Sequence, residues 1–178
     1  MLDLTGFKYC PRCAEDAIET FLVNGLKCRN CGFIYFHNTA SAVAAIIEYD
    51  NGIILAKRAH EPAKGFYDLP GGFVDRKESL EDALRREVME ELSLEICSMS
   101  YMGSFSNLYK YEDVSYYTAD AVFVCKPSAA MVPKPNEELA EISIVSVDKI
   151  DLESIAFESA KRAVMCYSQM NAIKESFE

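Results

Sequence analysis

Glu87, Glu90 and Glu91 stand at i, i+3 and i+4 within Ser79 to Leu92, a stretch whose apolar residues recur at helical spacing. At about 100° per residue, with Leu80 set at zero, Leu84, Val88 and Leu92 extend an apolar arc to about 120°. Glu91 falls inside that arc at about 20°, and Glu87 and Glu90 flank it at about 340° and 280°. Carboxylates so close repel one another, and burying them is costly without a compensating positive charge. Oxygen ligands clustered in this way suit Mg²⁺ or Mn²⁺. The other reading is a solvated acidic face with Asp82–Arg86 and Arg86–Glu90 as i,i+4 pairs. It accounts for Glu90 and does not account for Glu91.

A second cluster lies near the N-terminus. Cys10-Pro-Arg-Cys13 and Cys28-Arg-Asn-Cys31 form two CxxC pairs separated by fourteen residues. That spacing is close to the one expected of a four-thiolate zinc site, and four protein ligands close the shell, so the metal is structural. Disulfides are the alternative, and a count of seven cysteines without a secretion signal makes a poor disulfide framework. Cys97, Cys125 and Cys166 are scattered and read as small buried apolar residues. Lys8, Arg12, Lys27 and Arg29 are balanced by Glu15, Asp16 and Glu19 in this segment, which favours structural use over nucleic-acid binding.

The chain of 178 residues carries a formal charge of −10, which argues against nonspecific nucleic-acid binding. An acidic protein acting on phosphates needs a cation between itself and its substrate. No apolar run reaches membrane-spanning length, and the first residues lack the pattern of a signal peptide, so a cytoplasmic location is expected.

Around the clusters the sequence predicts alternating strands and helices, an α/β protein. Ser41–Tyr49 and Gly52–Lys57 read as a hairpin about Asp50-Asn51-Gly52. Ala59 to Asp68 reads as a loop, and Pro70-Gly71-Gly72 as a tight turn. Ser79 and Asp82 fit a capping box for the helix that follows. Ser98–Ser104, Ser115–Cys125 and Ile142–Val147 read as strands, and Asp151–Lys174 as an amphipathic C-terminal helix.

From Gly72 the chain reads GFVDRKESLEDALRREVMEELSL, ending at Leu94. This resembles the Nudix box, with Gly72, Glu78, Arg86, Glu87, Val88, Glu90, Glu91 and Leu94 in register. Leu69-Pro70-Gly71-Gly72, the preceding hairpin and the acidic segment after Pro135 extend the likeness over about residues 38–178. Three positions depart from the family pattern: Ser93 replaces a Gly, Lys77 precedes Glu78 where many members have Gly, and Tyr67 stands where many have Trp.

The resemblance implies a Nudix α/β/α sandwich with a mixed sheet over 38–178, preceded by a zinc ribbon over 1–37. It implies a Mg²⁺-dependent (or Mn²⁺-dependent) hydrolase that cuts the diphosphate of a nucleoside diphosphate derivative such as ADP-ribose, NAD(H) or a related dinucleotide. Glu87, Glu90 and Glu91 would be metal ligands, joined by Glu138, the best match among Glu137, Glu138 and Glu141. One of these carboxylates would act as base toward the attacking water. Glu78 and Arg86 would organise the loop and helix, and Gly71 and Gly72 would let the backbone approach metal and phosphates. Arg58 resembles the family's Arg on the strand before the box loop, with a substrate-contacting or a structural role. The family's common homodimers are a further expectation.

A ribbon ahead of this domain resembles the NADH pyrophosphatase branch. Its Ser-Gln-Pro-Trp-Pro-Phe-Pro motif is replaced here by Ser104 to Tyr111, and the chain has no Trp. Phe105, Tyr109, Tyr111, Tyr116 and Tyr117 offer rings on which a base could stack. Two other functions share the pattern: a nucleoside triphosphate pyrophosphatase, and a non-catalytic Nudix-fold regulator that binds a ligand or nucleic acid. Regulators of that kind lose box glutamates, and this chain keeps them.

Overall fold

The structure, a computed structural model, describes residues 7–111, 114–128 and 131–175. The chain divides into two compact units, one up to Thr39 and one from Ala40 onward.

The first unit is a three-stranded antiparallel sheet of β1 (Ile18–Phe21), β2 (Gly25–Cys28) and β3 (Ile34–Phe36), in that order. So small a unit buries little. Cys10, Leu26 and Cys28 are its buried apolar residues, so a staple at the cysteines has much to stabilise.

The second unit is built on a mixed sheet. Its main path runs β10 (Leu139–Val145), β5 (Gly52–Arg58), β4 (Ala40–Tyr49), β9 (Val114–Pro127) and β8 (Ile96–Tyr111). β4 and β9 are parallel, and the other pairs are antiparallel. Two short strands, β6 (Tyr67–Asp68) and β7 (Gly71–Phe73), pair with β5 and β4 respectively.

Alternation along the central strands sends side chains to two faces. Val43, Ala45 and Ile47 of β4, with Ala121, Phe123 and Cys125 of β9, pack against Leu84, Val88 and Leu92 of α1 (Leu80–Leu92). Ile46 and Val122 point the other way, onto Ala160, Ala163 and Val164 of α2 (Glu158–Glu175). A sheet buried on both faces by helices is the α/β/α arrangement expected of the sequence.

The hairpin at Asp50-Asn51 forms with Asp50 at φ 48°, and Tyr49 pairs with Gly52. Beyond Glu48 and Tyr49, β4 and β5 separate. β4 then takes β7 as its neighbour at Ala42–Ala44, and β5 takes β6.

Several local expectations need correction. Gly71–Phe73, where a tight turn is expected, pairs with β4, and Tyr67–Asp68, at the end of the expected loop, pairs with β5. β8 runs far past Ser98–Ser104, to Tyr111, because Leu108↔Tyr117 and Tyr109↔Tyr116 continue its ladder with β9 into one long hairpin, while β9 stays close to the expected Ser115–Cys125. The C-terminal helix begins at Glu158, not Asp151. The Asp151 side chain does accept a cap hydrogen bond, from Glu153 N at 3.1 Å, but it caps only the 3₁₀ turn Leu152–Ser154. Cys97 is exposed, while Cys125 is buried and Cys166 half-buried, so the apolar reading fails for Cys97.

Helix α1 starts as the capping box predicts. Ser79 Oγ accepts from Asp82 N at 3.1 Å and donates to the Asp82 carboxylate at 2.7 Å. It ends at Ser93, which adopts the left-handed conformation (φ 55°, ψ 35°) while its N–H donates to Met89 O. Lys77 is likewise left-handed, at φ 70°. Both are positions where the family favours Gly, which reaches that region without steric cost. Ser93→Gly and Lys77→Gly are each expected to stabilise the protein by roughly 0.5–1 kcal/mol, raising Tm by about 1–4 °C. A lower Tm for both in thermal unfolding would contradict this account of the two turns.

Candidate active site

Where β4 and β5 separate, the second unit holds a cavity of about 430 Å³. Glu87, Glu90 and Glu91 of α1 line it, together with Gly71, Gly72, Arg58, Arg86 and Glu138. Of the candidate catalytic residues Glu78, Arg86, Glu87, Glu90 and Glu91, Glu78 alone stands outside the lining. It braces Arg86 from behind.

Glu91 is the most deeply buried of the three helix carboxylates. Its Oε2 accepts from Gly71 N at 3.0 Å. Gly71 lies so close on β4 that a Cβ there would meet Val43 O at 2.1 Å. Burial pushes the Glu91 carboxyl up to about 8, against the pull of the Gly71 N–H, and Glu87, Asp68 and Glu138 add to the rise. Burial also raises Glu87, opposed by its hydrogen bond from Arg86.

Arg86 is the hub of the loop and helix. Its guanidinium grips Glu78 through Nε at 2.9 Å and Nη2 at 3.0 Å, and donates to Phe73 O at 3.1 Å. Nη1 reaches Glu87 at 2.8 Å and Glu90 at 3.2 Å. The hydrogen bonds from Arg86 hold the Glu78 carboxyl below the usual carboxylate range. Glu78 in turn accepts from Asp75 N at 3.0 Å, which fixes the loop between Gly72 and Ser79.

Glu138 arrives from a loop stitched to the end of α1. Lys134 N donates to Leu92 O and Asn136 N to Glu91 O, at 2.8 and 3.0 Å. Of the three acidic candidates in this segment, Glu138 lines the cavity. Glu141 is engaged by Tyr67 Oη and by Lys57 at 3.6 Å. Tyr67, at the family's Trp position, therefore serves as a strut to β10.

Arg58 donates to Pro62 O at 2.7 Å, pairs with Asp68 at 3.5 Å and stacks over Phe157 at 5.1 Å. These contacts give it a structural role at the cavity wall. Burial pushes the Asp68 carboxyl up to about 7, with Arg58 opposing and Asp120 adding to the rise.

The cavity has a second half, of which the sequence points only to Tyr109, as a ring on which a base could stack. Thr118 and Asp120 of β9, Asn107 and Tyr109 of β8, and Phe157 and Ser159 at the start of α2 line it. Asn107 and Tyr109 belong to the segment that replaces the NADH branch motif. No local signal marks Thr118 or Asp120, whose burial depends on strands and loops distant in the sequence.

The four cysteines of the first unit bring their sulfurs within 4.8 Å of one another. Cys10–Cys31 and Cys13–Cys28 sulfurs are 3.6 and 3.7 Å apart. A tetrahedron with Zn–S of about 2.3 Å has edges of about 3.8 Å, whereas a disulfide needs about 2.05 Å. The two knuckles close on Ala14 N to Cys10 O at 2.8 Å and Gly32 N to Cys28 O at 3.0 Å. Among the described residues this is the single set of His, Cys, Asp or Glu groups gathered that tightly. The cavity carboxylates are spread more widely, with Glu87 and Glu90 held by Arg86.

The family model described as the NUDIX domain matches residues 38–166, and the chain belongs to that family. An ADP-ribose pyrophosphatase of Methanocaldococcus jannaschii is 46% identical over 74 residues, 42% of this chain and 43% of that protein. A protein of Haemophilus influenzae described as NAD-capped RNA hydrolase NudC is 30% identical over 103 residues, 57% of this chain and 39% of its own. The chain thus spans less than half the length of these two relatives. The crystal structure of a NUDIX hydrolase from Nitrosomonas europaea shares the fold, with a TM-score of 0.67 and 24% identity over 87% of this chain and 86% of that one. Among the described residues no helix is long and apolar enough to cross a membrane.

The two glycines before the helix are expected to separate in their effects. A Cβ on Gly72 would meet the side-chain carboxylate of Glu87, at 2.5 Å from Oε1, and one on Gly71 would meet backbone. Gly71→Ala should cost about 1–3 kcal/mol or more by overpacking, and Gly72→Ala less than about 1 kcal/mol. Denaturant unfolding of both variants checks this; equal losses would mean the loop is free to shift.

Proposed function

We propose that the Nudix domain, residues 38–178, is a divalent-metal-dependent pyrophosphohydrolase. It cuts the diphosphate of a nucleoside diphosphate derivative, with ADP-ribose, NAD(H) or a related dinucleotide as the substrate class. The observation that carries this is one cavity in which Glu87, Glu90, Glu91 and Glu138 face Gly71 and Gly72. The matched relatives, described as an ADP-ribose pyrophosphatase and a NAD-capped RNA hydrolase, support the substrate class.

The donor set fits a hard cation. All four groups are carboxylates, and Glu91 is buried beside Glu87 and Glu138 with a single backbone N–H as its partner. Their spread suits Mg²⁺, which keeps several waters and takes one or two carboxylates plus substrate phosphates. Such a metal supplies positive charge at the diphosphate and lowers the pKa of a bound water.

The protein's own groups do the rest. Gly71 and Gly72 leave room for phosphate oxygens against backbone. Arg86 sets the angles of Glu87 and Glu90 and is itself set by Glu78. Hydrolysis adds one water across one P–O–P bond. The attacked phosphorus exchanges its bridging oxygen for the water oxygen, a carboxylate of this set takes the water's proton, and two phosphomonoesters leave.

Glu91→Gln is the direct test. Gln retains an oxygen to accept the Gly71 N–H, so the fold should persist. Loss of the charge should cut Mg²⁺-dependent cleavage by at least about 10²-fold, since even outer-shell partners of a metal ligand are worth 10–100-fold. Cleavage at the wild-type rate would remove Glu91 from the metal site. Screening nucleotide diphosphates by product separates the readings: AMP release marks a dinucleotide or ADP-ribose hydrolase, and pyrophosphate release from triphosphates marks the alternative.

We further propose that Cys10, Cys13, Cys28 and Cys31 bind one structural Zn²⁺ in a ribbon over residues 1–37. Strong chelation should release one zinc per chain and expose the amides of this unit to hydrogen exchange, since such sites contribute folding energy outright. A metal-free protein with a fully protected ribbon would end this reading.

A further inference from the structure

Thr118 and Asp120 are buried polar residues, 3% and 9% exposed, that line the cavity from β9. Thr118 Oγ1 and Asp120 Oδ1 find no hydrogen-bond partner among the described residues. Buried polar atoms are nearly always satisfied, so each such atom calls for an explanation. The two residues alternate with Ala119 and share the face of Val122, which packs toward α2. At about 3.3 Å per residue their Cα atoms stand about 7 Å apart, too far for the side chains to satisfy one another easily.

Their surroundings are those of a small planar ligand. Tyr109 and Phe157 form one wall with ring centroids 5.5 Å apart, and Phe73 meets Tyr109 edge-on at 5.4 Å. Ser159 and Ala160 close the far side. A carboxylate oxygen accepts hydrogen bonds and gives none when ionised, and a hydroxyl does both. The missing partner of Asp120 is therefore a donor.

Resting on the hydrolase reading, we infer that Thr118 and Asp120 are specificity-determining residues. They take hydrogen-bond donors from the substrate's nucleoside half, either an exocyclic amino group of the base or a ribose hydroxyl. The diphosphate then lies toward Gly71, Gly72 and the glutamates, and the base lies along Tyr109 and Phe157. A site built to pair a donor rejects the analogue that lacks it, because its own buried group is left unpaired.

Calorimetric titration of the full chain tests this without requiring turnover. The probes are AMP, inosine monophosphate, 2′-deoxy-AMP and 3′-deoxy-AMP. Wild type should bind AMP at least tenfold more tightly than one of the three analogues, and the analogue that fails names the donor. Asp120→Asn and Thr118→Val should each weaken AMP binding about tenfold and narrow that discrimination, while Tm stays level or rises. That opposite movement is what a purely structural role does not produce. Equal affinity for all four probes, no binding of any, or variants that lose Tm along with affinity would each overturn the inference. Discrimination by a protein that cleaves no diphosphate would leave the inference standing and remove the hydrolase reading. Cleavage by a protein whose Asp120→Asn variant binds AMP normally would do the reverse.

Discussion

One hydrogen bond ties the whole second unit to its chemistry: Gly71 N to Glu91, 3.0 Å long. Glu91 sits within the apolar arc of α1, so docking that helix on the sheet carries a carboxylate inward with Leu84, Val88 and Leu92. The group can stay there only if something on the sheet side donates to it. The donor is a backbone amide, and its approach depends on Gly71 having no Cβ to strike Val43 O. The packing of α1 and the path of the chain through Pro70 to Gly72 are thus one constraint.

Arg86 extends that constraint in the other direction. A planar, permanently charged fork can grip Glu78 with two nitrogens while a third turns to Glu87 and Glu90. Like charges at the end of one helix are tolerable because this cation lies among them. Its position comes from the loop, which Glu78 pins through Asp75 N and Arg86 pins through Phe73 O. The box is therefore a self-supporting unit: the loop holds the arginine, and the arginine orients the acids. A lysine could not make all of these contacts at once.

That self-sufficiency explains what the sequence reveals. Everything in the box lies within one loop and one helix, where spacing translates directly into geometry. The angular position of Glu91, the cap at Ser79 and the left-handed stop at Ser93 could all be read from local pattern. The two CxxC pairs are legible for the same reason, since each knuckle is a single turn. Thr118 and Asp120 are not, because alternation alone assigns them to a face without saying whether that face is wet. Their burial depends on long-range packing, including a parallel pairing with β4 that no turn announces. The expected start of the C-terminal helix at Asp151 fails for a related reason. Its cap is real, but a 3₁₀ turn uses it, and Ile155 and Ala156 then bond back to Leu152 and Tyr67 before α2 begins.

The cavity itself is a product of topology. Paired along their full length, β4 and β5 would seal the sheet at this point. They meet at two residue pairs, then part, and β6 and β7 enter the gap from the two sides. The opening gives a ligand access to both faces of the sheet at once. On one side it meets the carboxylates of α1. On the other it meets the unsatisfied atoms of β9 beneath α2. A ligand with a strongly charged end and a planar, hydrogen-bonding end matches that division better than one that is charged throughout. The net charge of −10 sharpens the point. With acids on both sides, an anionic end needs a cation to enter, and an end that carries hydrogen-bond donors suits Asp120.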